Sequence, residues 1–197
     1  PPTSVASMPV ADLNLDPKRF QYKIAWKDVG AEKWRPELAG VVSVWRDPKD
    51  GKTYVVNGHR RVAMAKRLGT DAMDVRYLNV ATPAEARSLG ALINIAEGHG
   101  TVMDAAKFFR DSDMTPEELK AQGVSVTDYM AAQGIALARV SPGIWNAVGN
   151  GTMPVERATI IGRGLPEHAQ QDALVKLLKK RGNVTNGVLD ELIQGVR

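Results

Sequence analysis

GVVSVWRDPKDGKTYVVNGHRRVAMAKRLG, residues 40–69, decides how the first half of this chain folds. Val41, Val42, Val44 and Trp45 form one β-branched and aromatic run, and Thr53 to Val56 form a second. Between them RDPKDGK carries Asp-Pro and Asp-Gly turn chemistry, so the two runs read as a β-hairpin. The second run stops at Asn57-Gly58. A stretch with Val62, Ala65 and Leu68 on one helical face follows, and Gly69 is a suitable stop. His59, Arg60 and Arg61 stand where the strand hands over to the helix.

That handover has a chemistry of its own. A helix start exposes backbone N–H groups, and its dipole favours an anion there. Gly58 lets a ligand approach the backbone closely. Arg60 and Arg61 add planar donor forks suited to phosphate oxygens, and His59 can donate a hydrogen bond or orient a neighbour. Adjacent side chains diverge on a helix, so both arginines reach one ligand only from the first turn. The same string also suits two surface charges after a glycine that closes a hairpin, and on residues alone both readings stand.

Outward from this stretch, MDVRYLNV (73–80) alternates apolar and polar residues and reads as a further strand. Residues 1–37, with several prolines and mixed polar residues, read as loops around short extended pieces. From residue 82 the texture changes. Thr82-Pro83 with Glu85, and Thr115-Pro116 with Glu118, have the form of capped helix starts. Short helical patterns punctuated by Gly and Pro continue to the end, with no strand among them. The expected class is α+β: a small mixed α/β unit over residues 1–81, then an all-helical unit over 82–197. TDYMAAQGIALARV (127–140), with Gly134 between two apolar runs, is a candidate helix-turn-helix, although Gln133 falls where an apolar residue normally locks such a pair.

Bulk properties narrow the function classes. The chain has 197 residues, 44% hydrophobic and 24% charged, which is ordinary for a globular protein with a real core. The net charge of +4 is compatible with nucleic acid without demanding it. There is no cysteine, which excludes disulfides, thiolate metal sites and cysteine nucleophiles. No apolar run approaches the roughly 20 residues of a membrane span. The opening Pro-Pro-Thr-Ser leads us to expect a piece of a longer or trimmed polypeptide, with the cytoplasm as default compartment.

VVNGHRRVAMAKRLG resembles the signature of the ParB/sulfiredoxin superfamily, in which a Gly-(Glu or His)-Arg-Arg turn after a strand cradles nucleotide phosphates. MPVADLNLDPKRF (8–20) is similar to the opening strand and loop of ParB N-terminal domains, and ALINIAEGHGTVMDAAKFFRD (91–111) to their next segment. The order FQYK, VNGHRR and NIAEGHGTVMDAAKFFRD further resembles the DdrB-like version found in large polyvalent proteins of phages and mobile elements. The sulfiredoxin branch needs a catalytic cysteine in its turn; its thiol chemistry is excluded here.

The resemblance implies a bound triphosphate of the CTP or ATP class, contacted by Lys23, Asn57, Gly58, His59, Arg60, Arg61 and Asn94. Magnesium would meet Asn94, preceded here by Ile93 where clamp-type relatives carry Glu. Glu97 either supplies the missing carboxylate or is a surface acid; both readings remain open. It further implies DNA association, with Arg139 and Arg157 as candidate contacts, a homodimer, and at most weak triphosphate hydrolysis. Rival expectations are a metal-dependent DNase or phosphotransferase on the same fold, and a degenerate docking domain within a larger phage or plasmid protein. The basic and aromatic residues Lys18, Arg19, Phe20, Tyr22 and Lys23 form a second candidate contact for a base or backbone. The alternative is an edge strand whose aromatics pack inward, and it suits Phe20 better than a contact role.

Overall fold

The computed structural model describes residues 3–21, 33–182 and 184–196. It separates into two compact units, Pro1–Ala91 and Leu92–Arg197.

In the first unit the strands are β1 (Thr3–Pro9), β2 (Leu13–Asn14), β3 (Val42–Arg46), β4 (Thr53–Asn57) and β5 (Ala72–Leu78). They form one mixed sheet in the order β1-β5-β3-β4-β2. β1 and β5 pair antiparallel, as do β3 and β4, while β3 lies parallel to β5 and β2 parallel to β4. The expected hairpin is β3–β4, with Trp45 opposite Tyr54 and Arg46 opposite Thr53. Its turn is closed by two aspartates. The Asp47 carboxylate accepts from the Lys49 N–H at 2.9 Å, and that of Asp50 from the Lys52 N–H at 2.9 Å and the Tyr54 hydroxyl at 2.7 Å.

Both faces of the sheet are covered. Helix α3 (His59–Arg67) buries Val62 and Ala65 against Val42, Val44, Val55 and Val75. Leu68, expected on that same face, caps the helix and is only half-buried. On the opposite face Trp45, 1% exposed, packs against Phe20 with ring centroids 6.0 Å apart and donates its indole N–H to the Val80 carbonyl at 2.9 Å. Phe20 closes the one-turn helix α1 (Pro17–Phe20). Burying each such ring contributes about 1.5–3 kcal/mol. A second one-turn helix, α2 (Pro36–Ala39), precedes β3.

Helix α4 (Pro83–Ala96) starts as expected: the Glu85 N–H donates to Thr82 Oγ1 at 3.2 Å, and the Glu85 carboxylate accepts from the Thr82 N–H at 2.8 Å. Its Gly90 presses on β4, where a Cβ would stand 2.7 Å from Val56. The break between the two units falls inside α4, later than the change of texture at residue 82.

The second unit continues with α5 (Val102–Asp111), α6 (Pro116–Ala121), α7 (Asp128–Ala138), α8 (Pro142–Gly149), α9 (Val155–Gly164), α10 (His168–Arg181) and α11 (Asn186–Val196). Among the described residues no strand follows β5. Thr101 and Thr115 form capping boxes, and Thr127 and Ser141 cap α7 and α8. None of these helices is long and apolar enough to cross a membrane.

The helix-turn-helix reading of residues 127–140 needs correction. Helix α7 runs unbroken through Gly134, so no turn separates the two apolar runs. The glycine serves close packing instead, since a Cβ there would meet Ala105 of α5 at 2.6 Å. Further on, Gln171 is fully buried and satisfied: it accepts from the Ser141 N–H at 2.7 Å and donates to the carbonyls of Leu165 at 2.8 Å and Arg139 at 3.2 Å. One side chain thus ties the ends of α7 and α9 and the start of α8 to α10.

Candidate anion-binding site

Gly58 is the N-cap of α3, with φ +98° and ψ 21°. Only glycine adopts that backbone without strain, and a Cβ would also press on Val42 at 3.0 and 3.2 Å. Glycine brings no side-chain oxygen to the helix start. The first turn of α3 contains no acidic residue either. This contrasts with α4 to α8, each capped by a Thr or Ser hydroxyl. The first-turn N–H groups of any helix lie outside its own ladder. At α3 neither the cap nor a first-turn carboxylate answers them.

In front of this turn lies a cavity of about 460 Å³ lined by Gln21, Gly58, His59, Arg60, Arg61 and Met64. Small-molecule sites commonly fall between about 300 and 1,000 Å³. None of the six lining residues is acidic. The helix dipole and two guanidiniums therefore give the hollow a positive field, with a thioether and an amide to face a less polar part of a ligand.

The two arginines differ in their surroundings. Arg60 is exposed at the rim. Arg61 is half-buried and donates from Nη1 to the carbonyls of Ala39 at 2.6 Å and Val41 at 3.2 Å. It binds protein backbone while lining the cavity. His59 is fully buried in the cavity wall.

The other sequence candidates are placed as follows. Asn57 immediately precedes the cavity, but its amide donates to the Gly90 carbonyl at 2.5 Å. Lys23 and Tyr22 lie outside the described residues. Asn94 and Glu97 belong to the second unit. Asn94 Nδ2 donates to Asp104 Oδ1 at 3.3 Å, and Glu97 is exposed. Among the described residues no group of three or more His, Asp or Glu side chains is arranged to hold a metal ion. Arg139 is exposed at the end of α7, whereas Arg157 is half-buried and donates to the Val184 carbonyl at 3.0 Å.

Of the basic-aromatic group, Arg19 and Phe20 are occupied internally. The Arg19 guanidinium carbon lies 5.2 Å from the ring centroids of Phe20, Trp45 and Tyr54, and its Nη2 meets Asp47 at 2.7 Å. Cation–π contact and a nearly buried carboxylate hold it. The Asp47 carboxyl is kept below its ordinary pKa by the Lys49 N–H first and the Arg19 hydrogen bond second.

Sequence reasoning missed two lining residues, Gln21 and Met64. Neither stands out in a polar loop or a helix of ordinary composition; only the fold puts them beside Gly58. The carbonyls that hold Arg61 are equally invisible in a one-dimensional reading, although Gly40 marks the place.

No protein-family model matches this sequence, and no curated protein is a significant match. Two solved structures of the C-terminally truncated chromosome-partitioning protein ParB from Caulobacter crescentus are similar to this chain. The complex with CTP-gamma-S is 15% identical, covers 87% of this chain and 99% of that one, and gives a TM-score of 0.33. The complex with the centromeric parS site is 17% identical, covers 96% and 99%, and gives 0.40. These likenesses are too remote to carry any part of the functional reading.

Proposed function

We propose that this chain is a nucleotide-binding module of the ParB-like type, which holds a triphosphate of the CTP or ATP class at the N-terminus of α3. The observation that carries the reading is the acid-free cavity of about 460 Å³ with Gly58, Arg60 and Arg61 in its wall. The sequence resemblance across VNGHRR supports it. Phosphate oxygens take the first-turn N–H groups and the two guanidiniums, as charge-assisted bonds. The remainder of the ligand faces Gln21 and Met64. Magnesium, if it enters with the triphosphate, needs few protein ligands; Asn94 and Glu97 are the side chains that the sequence resemblance offers for it. DNA association is the proposed output, with exposed Arg139 ahead of the partly committed Arg157, and with pairing of two copies on a larger phage or plasmid protein. Such binding weakens steeply with salt.

Titration calorimetry with CTP, ATP, GTP and UTP, with and without magnesium, tests the reading. A bound triphosphate raises Tm by mass action, equivalent to about 2.7 kcal/mol at a hundredfold excess over Kd. If no triphosphate binds or raises Tm, the reading is wrong.

A further inference from the structure

Gly40 joins α2 to β3 at φ +61° and ψ −174°, a region of the backbone map essentially reserved for glycine. The carbonyls on either side of it, Ala39 and Val41, converge on one atom, Nη1 of Arg61. A Cβ on Gly40 would stand 3.2 Å from that nitrogen. The other end of the same guanidinium faces Gly58, with Nη2 3.2 Å from where a Cβ there would stand, and Arg61 lines the cavity. A guanidinium is planar and its donors are fixed in a fork. Two acceptors on one terminal nitrogen therefore fix the direction of the whole group.

We propose that the Gly40 turn is a positioning element for Arg61, aiming its guanidinium at the phosphate of the ligand bound on α3. This rests on the reading that a triphosphate occupies the cavity. The turn itself does not line the cavity. Glycine suits position 40 because φ +61° with ψ −174° strains any other residue, and a Cβ 3.2 Å from Nη1 would push the guanidinium aside by a few tenths of an ångström. By linkage, an occupied site holds Arg61 more firmly and so holds the 36–42 segment more firmly.

The test uses the full chain with inorganic tripolyphosphate and CTP as probes. Gly40→Ala should weaken both by about tenfold or more, the equivalent of one charge-assisted hydrogen bond. Gly182→Ala is the matched control: Gly182 has φ +79° and ψ −158°, with nothing within 4 Å of a Cβ. It should lower Tm and leave both affinities at the wild-type value. Arg61→Lys, which keeps the charge and loses the fork, should weaken both probes similarly and serves if Gly40→Ala does not fold. Hydrogen exchange over residues 36–42 should slow when tripolyphosphate saturates the wild type. Wild-type affinity in Gly40→Ala or Arg61→Lys overturns the proposal, as does unchanged exchange in a wild type that binds. A wild type that binds neither probe defeats the site itself, and the proposal falls with it.

Discussion

Replacing Arg60 and Arg61 by alanine, one at a time, should separate stability from binding. Arg61 gives two hydrogen bonds from a charged donor to main-chain carbonyls, at 2.6 and 3.2 Å. Such bonds are worth about 1.5–3 kcal/mol each when well made. The longer one is exposed, so water replaces much of it, and the loss for Arg61→Ala comes to about 2 kcal/mol. For a chain of this size that is a fall in Tm of about 4–8 °C. Arg60 is exposed, so Arg60→Ala should stay within about 0.5 kcal/mol of wild type. Both variants should lose triphosphate affinity by about tenfold or more. Scanning calorimetry gives the first quantity and isothermal titration the second. Equal Tm values for the two variants would refute the structural role given to Arg61. Undiminished affinity in Arg60→Ala would refute the site.

Three other outcomes follow from the geometry. Gly58→Ala meets both a left-handed backbone and Val42 at 3.0 Å, and should cost about 2–3 kcal/mol in urea denaturation. Gln171→Leu strands the Ser141 N–H and the Leu165 carbonyl in a buried site, while the Arg139 carbonyl keeps His168 Nε2 at 3.1 Å; a loss of about 3 kcal/mol is expected by the same measurement. Asp47 has a depressed pKa in the folded state, so its stabilising effect is fully present above the unfolded value of about 3.9 and is lost as pH falls through the lower folded value. Tm measured from pH 6 down to pH 3 should therefore fall more steeply for the wild type than for Asp47→Asn.

The elements legible in the sequence are those whose cause is local. Asp-Pro and Asp-Gly announce the β3–β4 turn because each aspartate caps it within a few residues. Thr82 and Thr115 announce helices because their hydroxyls and the glutamates three residues on need nothing else. The strand-to-helix turn at Gly58 is legible because a β-branched run ends at Asn57-Gly58 just before a helical pattern. Tertiary causes were hidden. Thr3–Pro9 pairs along β5 although most of its residues are exposed, so no apolar alternation marks it as a strand. Gly134 carries the signal of a turn, yet the neighbouring α5 makes it a packing glycine; one residue type serves both demands. Arg19 reads as a nucleic-acid contact until three rings and Asp47 are seen around it.

That enclosure of Arg19 has a counterpart in the second unit, where the Arg110 guanidinium carbon lies 4.6 Å from the Trp145 ring. Trp45 and Trp145, 1% and 3% exposed, are thus two buried indoles, one per unit, each beneath a positive charge. With Trp26 and Trp34 replaced by phenylalanine, each unit would carry its own intrinsic fluorophore. Removing Trp45 or Trp145 as well would leave the other as sole reporter, so that the melting of its unit is followed by emission colour without attaching a dye.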